Sequence, residues 1–146
     1  MVNSIGLVEM TKTQEDCSWD VHVLKIARKE GKNILNQTQY DHVVEVLKRL
    51  TDWEDKEEIS DLRIEKIQDF YELKDKGGVL GRLNLRVYFA TVPDNKDIIV
   101  LKTYKKEEDG ACPRYIIINV EDRLEDFLSG NLQEGVITYK AKSEKT

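Results

Sequence analysis

The chain has 146 residues, of which 40% are hydrophobic and 35% charged, and it carries a net charge of −5. This is about one domain's length, enough for a core without metal or disulfide staples, and no apolar run approaches the ~20 residues of a membrane-spanning helix. The acidic balance disfavours a simple nucleic-acid coat protein, and the two prolines and eight glycines disfavour a disordered or low-complexity chain.

The opening NSIGLVEM carries a weak alternation that suggests a strand. From about Gln14 to Glu30 the residues Trp19, Val23, Ile26 and Ala27 recur at helical steps. The pattern predicts an amphipathic helix stopped by Gly31. A second helix is predicted from a Thr38 cap, with Tyr40, Val43, Val44, Leu47 and Leu50 on one face. The six residues GKNILN would join the two into a helical hairpin. Thr51–Ser60 is acidic and expected to be exposed. Ile59, Leu62, Ile64 and Ile67 mark a partly buried connector that reads as a third short helix or as the lead-in to a strand.

The pattern then turns β. Phe70, Tyr71 and Leu73 predict a strand ended by Lys76-Gly77-Gly78. Leu83, Leu85, Val87 and Phe89 alternate with Asn84, Arg86, Tyr88 and Ala90, the best period-two signal in the chain. Pro93–Lys96 reads as a turn, and Ile98–Tyr104 as the partner strand, completing an antiparallel β-meander. Tyr115–Val120 reads as a strand before a helix Asp122–Leu128. Alternatively, one helix runs from Pro113 through Leu128, with proline at its start. A single domain is expected over residues 1–135, with residues 136–146 as a disordered tail. The fold class is α+β: an N-terminal strand and helical hairpin packed on an antiparallel meander, with a C-terminal helix.

The start of the chain has no basic cluster followed by an apolar stretch, so no signal peptide is expected. Cys17 and Cys112 form no CxxC and are expected as reduced thiols in a cytoplasmic protein. With only His22 and His42, a His-built metal site is not expected, and no cofactor is implied. Both histidines read as surface or boundary residues, and Trp19 and Trp53 as core or interface.

Charge is unevenly distributed. Residues 1–69 hold 10 basic and 15 acidic side chains, and residues 107–146 hold 5 and 9. Residues 79–106 hold 6 basic and 2 acidic, a positive island on the predicted meander. Alternation puts Asn84, Arg86 and Tyr88 on one face of their strand. It groups Ile98, Val100, Lys102 and Tyr104 on the next, with Lys106 in phase if the strand continues, and pairs Glu72 with Lys74 on the first. With helices on one side only, that polar face would be open to solvent or ligand. Adjacent strands lie ~4.8 Å apart, so Glu72, Arg86 and the lysines can converge. Arginine clamps a phosphate bidentately and lysine adds a point charge. Together they stabilise the charge of a phosphodiester transition state, while a carboxylate, a tyrosine or a lysine moves the protons. The bland alternative is that strands carry exposed Lys and Arg to prevent edge pairing.

The order of these motifs resembles the RelE/ParE toxin superfamily, in its HigB-like, phage-derived branch. The resemblance rests on IEKIQDFYELKDKGG (64–78), LRVYFATV (85–92), IIVLKTYKKEEDGACPR (98–114) and VEDRLEDFL, and it covers about residues 59–129. It implies a RelE-like fold and a metal-independent endoribonuclease that cuts mRNA on the ribosome. It also implies a cognate antitoxin protein as partner. Arg86 matches the phosphate-contacting arginine and Lys105–Lys106 the family's lysine pair. Glu72 and Lys74 fall on a strand that supplies active-site residues. Arg82, Lys102, Tyr104 and Arg114 are the further RNA-binding candidates. A second reading, motivated by the net charge and the long acidic N-terminal half, is a catalytically inactive interaction module on the same fold.

Overall fold

The computed structural model describes residues 19–52, 62–107 and 110–130, together with the backbone of 137–139. The elements follow as β1 (Asp20–Val23), α1 (Lys25–Ile34), α2 (Gln37–Arg49), β2 (Arg63–Lys66), β3 (Tyr71–Asp75), β4 (Leu85–Val92), β5 (Asp97–Lys105), α3 (Arg114–Leu128) and β6 (Ile137–Tyr139). The strands form one sheet in the order β2-β3-β4-β5-β1-β6. The β2-β3-β4-β5 run is antiparallel. β1 pairs parallel to β5, and β6 pairs antiparallel to β1. The fold is therefore α+β, with a helical hairpin, a meander and a C-terminal helix on a mixed sheet.

Several expectations change at the N-terminal end. Trp19 and Val23 do not belong to a helix. In Asp-Val-His-Val, residues 20–23, burial alternates and β-branched valines point inward at every second position. This period of two wins locally over the three- and four-residue spacing. Strand β1 accordingly lies at 20–23. The strand suggested at NSIGLVEM lies outside the described residues, as do Cys17, Trp53 and Ile59. Helix α1 begins just after Leu24, whose N–H continues the sheet by bonding to the Val100 carbonyl at 3.1 Å. Gly31 lies inside α1 and is buried, whereas Ile26 is exposed.

The hairpin connection is two residues, Leu35 and Asn36, rather than six. Asn36, not Thr38, caps α2: its side chain accepts from the Gln39 N–H at 2.8 Å, and the Gln39 side chain accepts from the Asn36 N–H at 3.0 Å. This reciprocal capping box satisfies two otherwise orphaned donors. Thr51, expected on an exposed acidic stretch, is buried, and its hydroxyl bonds to the Lys48 carbonyl.

The connector containing Ile64 is a strand, β2, that extends the meander by one. The turn after β3 depends on Gly77 and Gly78, at φ +90° and +54°, a region that costs side-chain-bearing residues energy. Between Pro113 and Leu128 the helical alternative holds, with Pro113 immediately before the first helical residue. Ile137–Tyr139, assigned from sequence to a disordered tail, adds an edge strand beside β1; the final residues 141–146 lie outside the described set.

Both faces of the sheet are covered. The hairpin lies over the face carrying Leu73, Asp75 and Val87: His42 of α2 meets Asp75 at 2.9 Å, and Gly31 of α1 packs against Thr103. The opposite face carries Glu72, Arg86, Tyr88 and Tyr104. There the Cys112 thiol reaches the Tyr88 hydroxyl at 3.5 Å, and Tyr115 of α3 reaches Tyr104 at 3.1 Å. Trp19, Leu50, Phe70, Phe89, Ile98 and Val120 are among the core residues. No helix among the described residues is long and apolar enough to cross a membrane.

Candidate functional site

The face expected to be open is instead the floor of a partly covered site. Arg86 is 4% exposed and Glu72 2%, because Cys112 and α3 close over the middle of β4. Pairing places Lys74 opposite Arg86 and Arg86 opposite Tyr104. In the next row, Glu72 stands opposite Tyr88 and Tyr88 opposite Lys102. The predicted phase of β3 and β4 is therefore correct. On β5 it is interrupted. Tyr88 pairs with Lys102 but Phe89 with Val100, so Leu101 is an extra residue in a bulge. Val100 sits on the Phe89 side, away from Lys102 and Tyr104.

A buried polar chain runs through the site. The Cys112 thiol donates to the Tyr88 hydroxyl, which donates to Glu72 Oε2 at 2.8 Å. The same oxygen lies 3.5 Å from Arg86 Nε, and Arg86 Nη1 donates to the Asn84 side-chain oxygen. Buried charges are tolerated when paired and hydrogen-bonded: Glu72 accepts from Tyr88 and faces the charge of Arg86, whose Nη1 bonds to Asn84. Burial pushes the Tyr88 hydroxyl far up, with its bonds to Cys112 and Glu72 acting in the same direction, so Tyr88 is a permanently protonated donor. Burial likewise raises the Cys112 thiol, and Glu72 adds to this. The bond with Tyr88 and the charges of Lys106 and Arg86 oppose it without prevailing. Cys112 is thus a neutral thiol rather than a nucleophile.

Two cavities open beside this chain. The smaller, about 160 Å³, is lined by Arg63, Lys74, Lys76, Arg86 and Asn84, with Asp75 and Gly110. Four cations converge there, and Asp75 is already engaged by His42. The larger cavity, about 400 Å³, shares Lys74 and Gly110 with the first and reaches Glu72 and Cys112. Lys74 also pairs with Glu65 across β2 and β3 at 3.1 Å.

The structure brings together Glu72, Lys74 and Arg86. Lys106 joins them from just beyond β5: it is buried, its N–H bonds to the Asn84 carbonyl at 2.9 Å, and its charge bears on Cys112 together with that of Arg86. Lys105 does not join. It pairs with Leu85, and alternation therefore turns its exposed side chain to the opposite face. The matched lysine pair is split between the two sides of the sheet.

Of the further RNA-binding candidates, none lines either cavity. Arg82 is exposed in the turn before β4, and Arg114 is exposed at the start of α3. Lys102 is held by Glu30 at 3.1 Å. Tyr104 shares a hydrogen bond with Tyr115 that, with some burial, pushes its hydroxyl up to about 12. Arg63 and Lys76 were missed as candidates. Lys76 continues the alternation of Glu72 and Lys74, but Arg63 becomes visible only once the connector is known to pair with β3.

No protein-family model matches the chain, and no curated protein is significantly similar to it.

Proposed function

We propose that the chain is the RNA-cleaving toxin of a toxin–antitoxin pair, a RelE/HigB-like cytoplasmic protein that cuts mRNA on the ribosome without a metal. One observation carries this reading: Arg63, Lys74, Lys76 and Arg86 converge on a cavity of about 160 Å³ beside a buried carboxylate. Such a cavity suits one phosphate group. In this reading Arg86 and Lys74 bind the scissile phosphate, and Lys106 adds positive potential from behind. Glu72 takes the 2′-hydroxyl proton as the 2′-oxygen attacks phosphorus, and Lys74 returns a proton to the departing 5′-oxygen. The bond from phosphorus to the 5′-oxygen breaks, leaving a cyclic phosphate. A single preorganised hydrogen-bond donor aimed at developing charge is typically worth ~10²–10³ in rate.

The test is expression in a bacterial host together with a cell-free translation reaction programmed with a defined mRNA. The expected result is growth arrest and ribosome-dependent cleavage, both abolished in Arg86→Lys and Lys74→Ala variants that retain the wild-type circular dichroism spectrum. A harmless wild-type protein that leaves the mRNA intact overturns the reading. One observation favours the alternative of an inactive interaction module. Glu72 neutralises Arg86 at 3.5 Å while both are buried, which reduces the pull of the cavity on a phosphate.

A further inference from the structure

The smaller cavity accounts for a phosphate, but the larger one beside it has a different character. The two share Lys74 and Gly110, so a ligand bound in one continues into the other. The larger cavity, at about 400 Å³, exceeds what a phosphate needs. One part of its wall is apolar: Ile67, Ala111 and Ile117. The rest presents the carboxylates of Glu65 and Glu72 and the ammonium group of Lys74, whereas the Lys66 ammonium lies over the Tyr71 ring. A flat ring can rest on the apolar wall while its edge meets these charged groups.

The available partners discriminate between rings. Tyr88 and Arg86 both hold Glu72 through Oε2, so Glu72 belongs to the buried chain. Glu65 is different: its side chain is 59% exposed and paired with Lys74 through Oε1. It stands at the cavity edge as an adjustable acceptor beside the Lys74 ammonium group. Guanine alone among the bases offers two adjacent donors, N1–H and the N2 amino group, next to an acceptor, O6. The donors match a carboxylate and O6 matches an ammonium group. Uracil would set a carbonyl on either side of its single N–H against that carboxylate. Adenine and cytosine each present one amino donor beside a ring-nitrogen acceptor.

We propose that the larger cavity is a guanine-selective base subsite adjoining the phosphate cavity, with Glu65 as its specificity-determining residue. The inference rests on the phosphate reading of the smaller cavity. The experiment titrates the isotopically labelled full chain with inorganic phosphate, then with 5′-GMP, 5′-AMP, 5′-CMP and 5′-UMP, followed by NMR. Phosphate is expected to perturb Asn84 and Arg86, and 5′-GMP to perturb in addition the methyl groups of Ile67 and Ile117. 5′-GMP is expected to bind about tenfold tighter than 5′-UMP, the discrimination of one bidentate pair. Glu65→Gln, on an exposed side chain, is expected to bring the two affinities within about threefold; because Glu65 is paired with Lys74, selectivity is read as the ratio of the two nucleotide affinities in the same variant.

Equal binding of the four nucleotides overturns the subsite. So does 5′-GMP binding without perturbation of Ile117, or unaltered selectivity in Glu65→Gln. If inorganic phosphate itself does not bind, the phosphate reading falls and the subsite with it. If phosphate binds but no base preference is found, the subsite alone falls.

Discussion

Glu30 of α1 and Arg123 of α3 meet at the exposed edge of β5, with Arg123 Nη2 at 2.7 Å from Glu30 Oε2. Beyond the end of β1 this pair takes over the pairing of the sheet. Glu30 accepts from the Thr103 N–H at 3.1 Å, and Arg123 donates to the Leu101 carbonyl at 2.9 Å. The pair thereby fastens the helices on the two faces to the same strand.

Glu30 supplies the first prediction. Burial raises its carboxyl, but the bonds from Arg123 and the Thr103 N–H, with the charges of Arg123 and Lys102, outweigh it and hold the group below its ordinary 4.5. A carboxylate whose folded pKa is depressed contributes stability in full above its unfolded value, and loses it as pH falls through the folded one. Glu30→Gln is expected to lower stability near neutral pH by about 3 kcal/mol, as for a hydrogen-bonded charge left without its partner. It should also flatten the acid limb of the stability profile below pH 4.5. Urea unfolding of wild type and variant from pH 7 down to pH 3 checks both.

Tyr88 acts through Glu72. Tyr88→Phe removes the hydroxyl that bonds to Glu72 and Cys112 while keeping the ring against Phe70. The expected loss of stability is about 1–3 kcal/mol. Under the proposed function, RNA cleavage should fall while phosphate affinity stays near wild type, because Arg86 keeps its charge but Glu72 loses an orienting bond. Thermal denaturation and cleavage kinetics measure the two effects separately.

The split of the lysine pair is testable directly. Lys105→Ala alters an exposed side chain on the far face and is expected to change stability by less than about 0.5 kcal/mol, with phosphate binding intact. Lys106→Ala removes a buried cation that shares its field with Arg86, so phosphate binding should weaken. Calorimetric titration with inorganic phosphate compares the two variants at one ionic strength, since the difference is screened by salt.

Gly31 offers a stabilising change. It lies in α1 at an ordinary helical position, and a Cβ there would meet Thr103 and Tyr40 at 3.8 Å, normal contact distance. Gly31→Ala is therefore expected to stabilise the fold by about 0.5–1 kcal/mol through lower unfolded-chain entropy and better helix propensity. A rise in melting temperature confirms it, and a fall would mean the contact is too tight.

The local alternation of 85–92 and of 70–75 fixed in advance which side chains share a face, because side chains along a strand must alternate. Glu72, Lys74 and Arg86 therefore came together as their sequence implied. Helix α2 was legible from its periodic stripe, though its cap is Asn36 rather than Thr38, and the helix from Pro113 was one of two open readings, marked by the proline at its start. Three decisions belonged to tertiary structure. β1 is a strand because the edge of β5 was available to pair with it, although the spacing of its apolar residues also fits a helix. Leu101 bulges, and one extra residue sends Val100 and Lys102 to opposite faces, which no periodicity announces. Finally, α3 covers the polar face, turning side chains expected in open solvent into a buried, mutually bonded chain at the floor of a cavity. Alternation along a strand is a covalent property of the chain, whereas which face receives a helix depends on contacts between distant segments.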